Sequence, residues 1–394
     1  MTGPARWRGI THGVAWKLAS LASKAGFLFI VAPALAAGQF AAYVFYSTVA
    51  LVLGRLGAFG LSDQLVLEIR GQAEFARRYH PLYRGLFLAA LVLYVAGVAS
   101  GSAAGRTIAL CSALIAGAVL EGALRSVWPS RYEQLLNGPP VLFLLLVAVV
   151  PSASAVDLLA LYGGAILVFQ AWLAARSGFW SRRVEGDLIS IRELVAICRR
   201  GFAKMIAEMT LLLNMRGLIL WPKLLGGGLA SDSLSMALAI GEAVSTLPMV
   251  VVNRNFARYA SAAVATRRAV LEALLVVVLM GAAGLVVVAG WELVPARITS
   301  RLTAVDLAWA LLLFGAVTAY YDLRYLAWTR TPGTWRFTGW QSGFFIVQGI
   351  IVAWLDQPVI LMAVSLLATG MVLGWIMWSF RSGAPRPGGS GCAS

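Results

Sequence analysis

"AAYVFYSTVALVLGRLGAFGL" occupies residues 41–61, and Arg55 is its one charged residue. The run has the length of a helix that crosses hydrocarbon, which needs about 20 apolar residues at 1.5 Å rise each. It lacks the strict alternation of a half-buried strand. Backbone groups in lipid have no water to bond, so a lone spanning segment must satisfy them internally as a helix. Runs of this kind recur from one end of the chain to the other, and that decides the fold class. The run also poses a question, because a guanidinium in hydrocarbon needs a reason to be there.

The composition agrees. Of 394 residues, 60% are hydrophobic and 12% charged, with mean hydropathy +0.81. A soluble domain carries roughly 25% charged residues, so this chain cannot cover a water-facing surface. It reads as an all-α integral membrane protein of about twelve spans. They fall near 14–34, 41–61, 85–101, 107–124, 138–151, 157–175, 201–222, 232–252, 269–291, 304–321, 339–355 and 358–379. The fifth is the shortest and is bounded by Pro139, Pro140 and Pro151. The basic, then apolar N-terminus resembles a signal peptide. Lys17 and Lys24 interrupt its apolar part, which continues past Pro33, so a retained first span is expected.

Basic residues fall mostly on one side. With the N-terminus inside, only Arg106, Lys223, Arg297 and Arg301 face outward, and the other loops hold most of the arginines. This asymmetry sets both termini in the cytoplasm. It accounts for most of the +15 net charge without nucleic acid, through topology and attraction to anionic membrane lipids. The longest polar stretch, 181–200, reads as a cytoplasmic linker. It separates an N-terminal six-helix bundle, 1–180, from a C-terminal one, 201–380. The Pro/Gly/Ser-rich tail 381–394 reads as disordered. Cys111, Cys198 and Cys392 show no metal or disulfide spacing. With only His12 and His80, zinc and histidine acid/base chemistry have little support, and no cofactor is expected.

The halves carry matching signals in matching order. Phe75 and Phe256 each begin a short basic segment after the second and eighth spans. Pro33 and Pro222 each close a span near its outer end. An internal duplication follows, of the kind that places a transporter's substrate site between repeats.

Charges inside spans are the candidate functional residues. They are Lys17 and Lys24 in span one, Arg55 in span two, Glu121 in span four, Lys204, Glu208 and Arg216 in span seven, Glu242 in span eight and Glu272 at the start of span nine. Lys17, Lys204 and Glu272 lie near enough to a span end to reach the headgroups. Arg55 lies about 9 Å from its inner end, where reaching out and facing inward are both open to it. Lys24 is about 15 Å from either end, and Arg216 lies in the outer half of its span. Charges that deep normally face a partner or a wet cavity. Spans one, two, seven and eight together hold the bases Lys17, Lys24, Arg55, Lys204 and Arg216 against the acids Glu208 and Glu242. A cavity among them would favour an anion, with Lys24, Arg55, Arg216, Lys17 and Lys204 as substrate-binding residues and Glu208 and Glu242 as ion-coupling residues.

At this point the chain resembles a known family. "AFGLSDQLVLEIRG" after span two, and "MTLLLNMRGLILWPKLLGGGLASDSLSMALAIGEAVSTLPMVVVNRNFAR" from span seven on, resemble polysaccharide flippases. These belong to the multidrug/oligosaccharidyl-lipid/polysaccharide exporter superfamily. Ala58 stands where the family has an acid before Gly-Leu, "NMR" at Asn214–Arg216 stands for Asp-Arg, and Phe256-Ala257-Arg258 stands for Phe-Pro-Arg. The resemblance implies two pseudo-symmetric six-helix bundles facing a central cavity lined by spans one, two, seven and eight. It implies a non-enzymatic exporter in the inner (plasma) membrane. The cargo would be an oligosaccharide on an undecaprenyl diphosphate carrier, moved to the periplasmic leaflet for polysaccharide biosynthesis. Other glycan-assembly proteins would be partners, and H+ or Na+ the coupling ion. A cationic-drug exporter would want an acidic cavity. A polysaccharide polymerase or ligase usually needs a large outer loop, and the outer loops here are short. A non-transporting glycan-assembly scaffold is the other alternative.

The topology is directly testable. Single cysteines at positions 154 and 228 should react with an impermeant thiol reagent from outside, and those at 185 and 265 only from inside. Outside labelling at 185 would break the twelve-span arrangement.

Overall fold

The computed structural model describes residues 4–69, 72–150, 154–180, 189–260, 266–330 and 334–382. They contain helices and turns and no strand among the described residues. The helices are α1 (Pro4–Gly26), α2 (Gln39–Gly57), α3 (Leu61–Ile69), α4 (Ala73–Arg77), α5 (His80–Ala99), α6 (Ala103–Val127), α7 (Pro129–Val149) and α8 (Ala155–Arg176). They continue with α9 (Ile191–Leu224), α10 (Asp232–Ala260), α11 (Thr266–Ala289), α12 (Ala296–Thr299), α13 (Ala304–Arg330), α14 (Thr334–Trp354) and α15 (Gln357–Ser382). Each expected span falls on a long helix, and nine segments among the described residues are long and apolar enough to cross a membrane. The chain is an all-α, multi-pass membrane protein.

Several boundaries differ from the sequence reading, for physical reasons. Pro139 and Pro140 do not bound the fifth span but lie inside α7. Each proline removes one backbone donor, a loss that membrane helices bear when neighbours cover the gap. The adjacent Gly138 lets α8 approach, because a Cβ there would lie 2.0 Å from the Phe169 ring. The first span is not uniform either. A π-helical turn, Phe27–Val31, follows α1, and a 3-10 turn, Ala32–Ala34, then carries Pro33. Helix α9 starts ten residues before its expected span, so 191–200 of the expected linker are helical. Ser190 and Glu193 close a capping box at that start, each side chain bonding the other's backbone N–H. The Ser190 N–H bond holds the Glu193 carboxyl below the usual range. Phe75 lies in the short α4 whereas Phe256 lies within the continuous α10, so the two matched segments adopt different local structure. The side chain of Phe256 lies outside the described residues.

The chain divides into two compact units, residues 1–236 and 237–394. In the first, α6 is the central element and packs against α2, α3, α5 and α8. Its small residues Ala109, Ala113, Ala116 and Ala123 are buried, and Gly122 lets the Ser62 backbone and the Leu65 side chain of α3 come close. Tyr83, Phe87, Phe179 and Trp180 form an aromatic cluster under it. Helix α9 belongs to this unit and runs along α2 and α3. In the second unit α13 is central, packed between α11 and α15, with α14 on α15. Gly315 meets Met280 and Gly284 meets Ala308, so glycine again sets the closest approach.

Helix ends in the first unit are satisfied from a distance. The N-cap of α2 is Gly38, which has no side chain to accept its orphan N–H groups. Asp232, at the start of α10, supplies the acceptors, with Oδ2 2.8 Å from Gly38 N and Oδ1 2.9 Å from Ala41 N. A carboxylate on a helix N-terminus is also favoured by the helix dipole. At the other end of α2 the chain turns through Phe59 and Gly60, both at positive φ (48° and 65°). The turn lies against α9, and a Cβ on Gly60 would sit 2.4 Å from Gly201 O.

Gly60→Ala should therefore combine left-handed backbone strain with a clash against backbone. We expect a loss of at least ~1–2 kcal/mol, read as a lower thermal midpoint of the purified protein. Gly85→Ala, where nothing lies near the added methyl and the helix is regular, should be neutral or better. Equal midpoints for the two variants would show that the α2–α3 turn is not tightly held against α9.

Candidate functional site

Arg55 lies in the last turn of α2, where small residues leave room around it. Gly54 packs against Leu114 of α6. The Arg55 guanidinium faces Glu121 of α6, with Nη1 3.8 Å from Oε2, and the side chains are 45% and 18% exposed. This is an ion pair without a tight hydrogen bond, and its basic member is half open. Asp63 is held 2.7 Å from Arg125. One turn and more along α3, Glu68 pairs with Arg200 of α9 at 2.8 Å and accepts from Gln64. Charges of both signs thus alternate along the faces of α2, α3, α6 and α9.

Arg55 and Glu121 line a cavity of about 150 Å³ between α2, α6, α7 and α8. That is well above the ~10–15 Å³ that one water needs. Leu51, Leu114 and Ile166 give it apolar walls, and Gln170 adds a polar group. The Gln170 Nε2 donates to Ala113 O at 2.8 Å, while its Oε1 is buried without a partner. Gly117 makes room for this amide, since a Cβ would approach Nε2 to 2.5 Å. A small cavity with one cation, one carboxylate and one free amide oxygen can hold water, exchange a proton, or receive an anionic oxygen at Arg55.

The other expected residues distribute as follows. Arg216 of α9 donates to Thr48 of α2 at 3.3 Å, about two turns along α2 from Arg55, and Glu208 precedes it on α9. Lys17 pairs with Glu133 of α7 at 3.1 Å. Lys24 is partly buried on α1, whose main neighbour is α7. Ser20, between Lys17 and Lys24 on α1, is buried. Glu242 lies in the second unit. The Lys204 side chain lies outside the described residues. Glu272 bonds Arg268 one turn earlier at 3.0 Å.

Two consequences were not legible in the chain. Counting charges on spans one, two, seven and eight left out Glu121 and Glu133, which come from other helices to meet Arg55 and Lys17. The positive excess near those bases is therefore smaller than the span count. Gln170 and Asp322 were also missed. Asp322 is 3% exposed in α13, and it sits one residue past the expected end of span ten. A less strict span boundary would have flagged it as an intramembrane acid.

No protein-family model matches the chain, and no curated protein matches it in sequence. Solved structures do align along its length. An outward-facing multidrug resistance MATE family transporter of the MOP superfamily aligns at 14% identity and TM-score 0.47, over 95% of this chain and 94% of its own. A MATE structure in the straight conformation aligns at 15% identity and TM-score 0.49, over 95% and 92%. A eukaryotic MATE transporter aligns at 16% and 0.47, over 94% and 96%.

The Arg55–Glu121 pair predicts an asymmetric mutational response. Arg55→Gln leaves Glu121, the more enclosed member, without its main cation, whereas Glu121→Gln leaves a guanidinium that is half open. Arg55→Gln should therefore lower the thermal midpoint more. The double variant should recover part of the loss, with a coupling of ~1–2 kcal/mol. Strict additivity would mean that the two side chains do not interact.

Proposed function

We propose that this chain is a membrane transporter that flips an anionic lipid-linked oligosaccharide, carried on undecaprenyl diphosphate, across the inner membrane. The observation that supports this reading is Arg55. It is a guanidinium within a span that stays half open despite a nearby carboxylate. Its planar set of donors suits phosphate oxygens, and the 3.8 Å spacing to Glu121 leaves its hydrogen-bonding capacity largely unspent. Arg216, which reaches α2 at Thr48, together with Lys24, Lys17 and Lys204, would continue the cationic track. Glu208 and Glu242 are the proposed acids for H+ or Na+ coupling. The twelve-span, two-bundle division with a central cavity, and the cytoplasmic placement of both termini, form part of the proposal.

A second reading has its own observation. Glu121 faces Arg55 from α6 and is the more enclosed of the two, 18% exposed against 45%. That arrangement suits a cation exchanger in which Arg55 serves as an internal counter-ion.

The two readings separate in cells that depend on this protein for glycan export. Under the flippase reading, Arg55→Ala and Arg216→Ala should each reduce export about tenfold or more at equal protein levels, since one lost charge-assisted contact costs ~1.5–3 kcal/mol. Full export by the Lys24→Ala/Arg55→Ala/Arg216→Ala triple variant would end this reading. Proton-driven efflux of a cationic dye from everted vesicles, abolished by Glu121→Gln while glycan export persists, would establish the second.

A further inference from the structure

Away from the cavity, three arginines of the first unit stack on aromatic rings at the shared end of α6, α7 and α8. The Arg125 guanidinium lies 5.8 Å from the Tyr132 ring centre, Arg131 5.4 Å from Trp128, and Arg176 5.1 Å from Trp172. Arg125 already has its anion, Asp63, at 2.7 Å. Among the described residues, Arg131 and Arg176 have no carboxylate within ion-pair distance. Arg131 instead donates to the Ser177 hydroxyl at 3.1 Å, which ties it to the residue next to Arg176.

The position of Arg131 is electrostatically costly. It stands in the first turn of α7, whose first turn holds no acid, and a cation there adds to the positive end of the helix dipole. Arg176 ends α8, where a cation is favoured, but it brings a second positive charge beside the first. Stacking over indole fixes each guanidinium face while leaving its edge N–H donors available, the geometry that engages phosphate oxygens in pairs. Phe169 packs edge-on against Trp172 and fixes that ring in turn.

We propose that Arg131 and Arg176, mounted on Trp128 and Trp172, form a binding site for the phosphate of an anionic lipid headgroup. Trp172 is 39% exposed, and Val168, one turn away on α8, is more open still. A headgroup on the arginines would thus have apolar helix surface beside it for its acyl chains, and indole suits the interface between the two zones. Free phosphate offers the same oxygens to the arginines but makes no use of that apolar surface. The site is separate from the Arg55 cavity and does not depend on what is transported.

The test uses the full chain purified in detergent, with native mass spectrometry after addition of dioleoylphosphatidylglycerol or dioleoylphosphatidylcholine. The wild type should retain phosphatidylglycerol about tenfold better than phosphatidylcholine, the scale of one charge-assisted contact. The Arg131→Gln/Arg176→Gln variant should lose that preference. Equal retention of the two lipids by the wild type would overturn the site, and this arm requires no variant to fold. A preference kept by the double variant at wild-type thermal midpoint would overturn the assignment to these arginines. Complete displacement of phosphatidylglycerol by millimolar inorganic phosphate would overturn the lipid as the occupant in favour of free phosphate.

Discussion

A backbone N–H in hydrocarbon has no water to bond, and this constraint underlies the rest of the structure. Helices satisfy it along their length but leave four donors orphaned at each start. The outward-expected ends of the first unit show how these are met. Asp232 covers the start of α2, where Gly38 offers nothing. Gln39 in turn accepts from Ala155 at the start of α8. Asp157 closes the capping box there and also pairs with Arg106 of α6. Short loops suffice because the helices cap one another.

The same constraint shapes the charges. An isolated ion within a span is costly, so side chains gather partners from whichever helix is near. Arg55 draws on Glu121, and Lys17 on Glu133. Such pairs are weak evidence for stability, since desolvation offsets much of the attraction. Their looseness is the informative part. At 3.8 Å with Arg55 half exposed, the pair is not sealed, and an incoming anion or a proton could change its arrangement. By contrast, Arg200–Glu68 and Arg125–Asp63 are short pairs that hold α9 and α6 to α3.

Glycine does in this fold what large apolar residues do in a soluble core. It sets where helices approach, as at Gly122 against α3, Gly138 against Phe169 and Gly315 against Met280. Lipid is as apolar as leucine, so close packing supplies the association that water would otherwise drive.

Read alone, the chain establishes its class. Run length and the scarcity of charge are local quantities, and hydrocarbon leaves only one local answer to each. It also marks Arg55, Glu121, Glu208 and Arg216 as ions in the wrong solvent. What it cannot supply is their pairing. Glu121 lies 66 residues beyond Arg55, and only the packing of α6 on α2 brings them together. Asp232 reads as a polar residue at a loop end until it appears on the first turn of α2, and Pro139 reads as a boundary until α7 runs through it. These features depend on which helices touch, and contact between helices is set by side-chain shape along whole faces, a property that no short window of sequence contains.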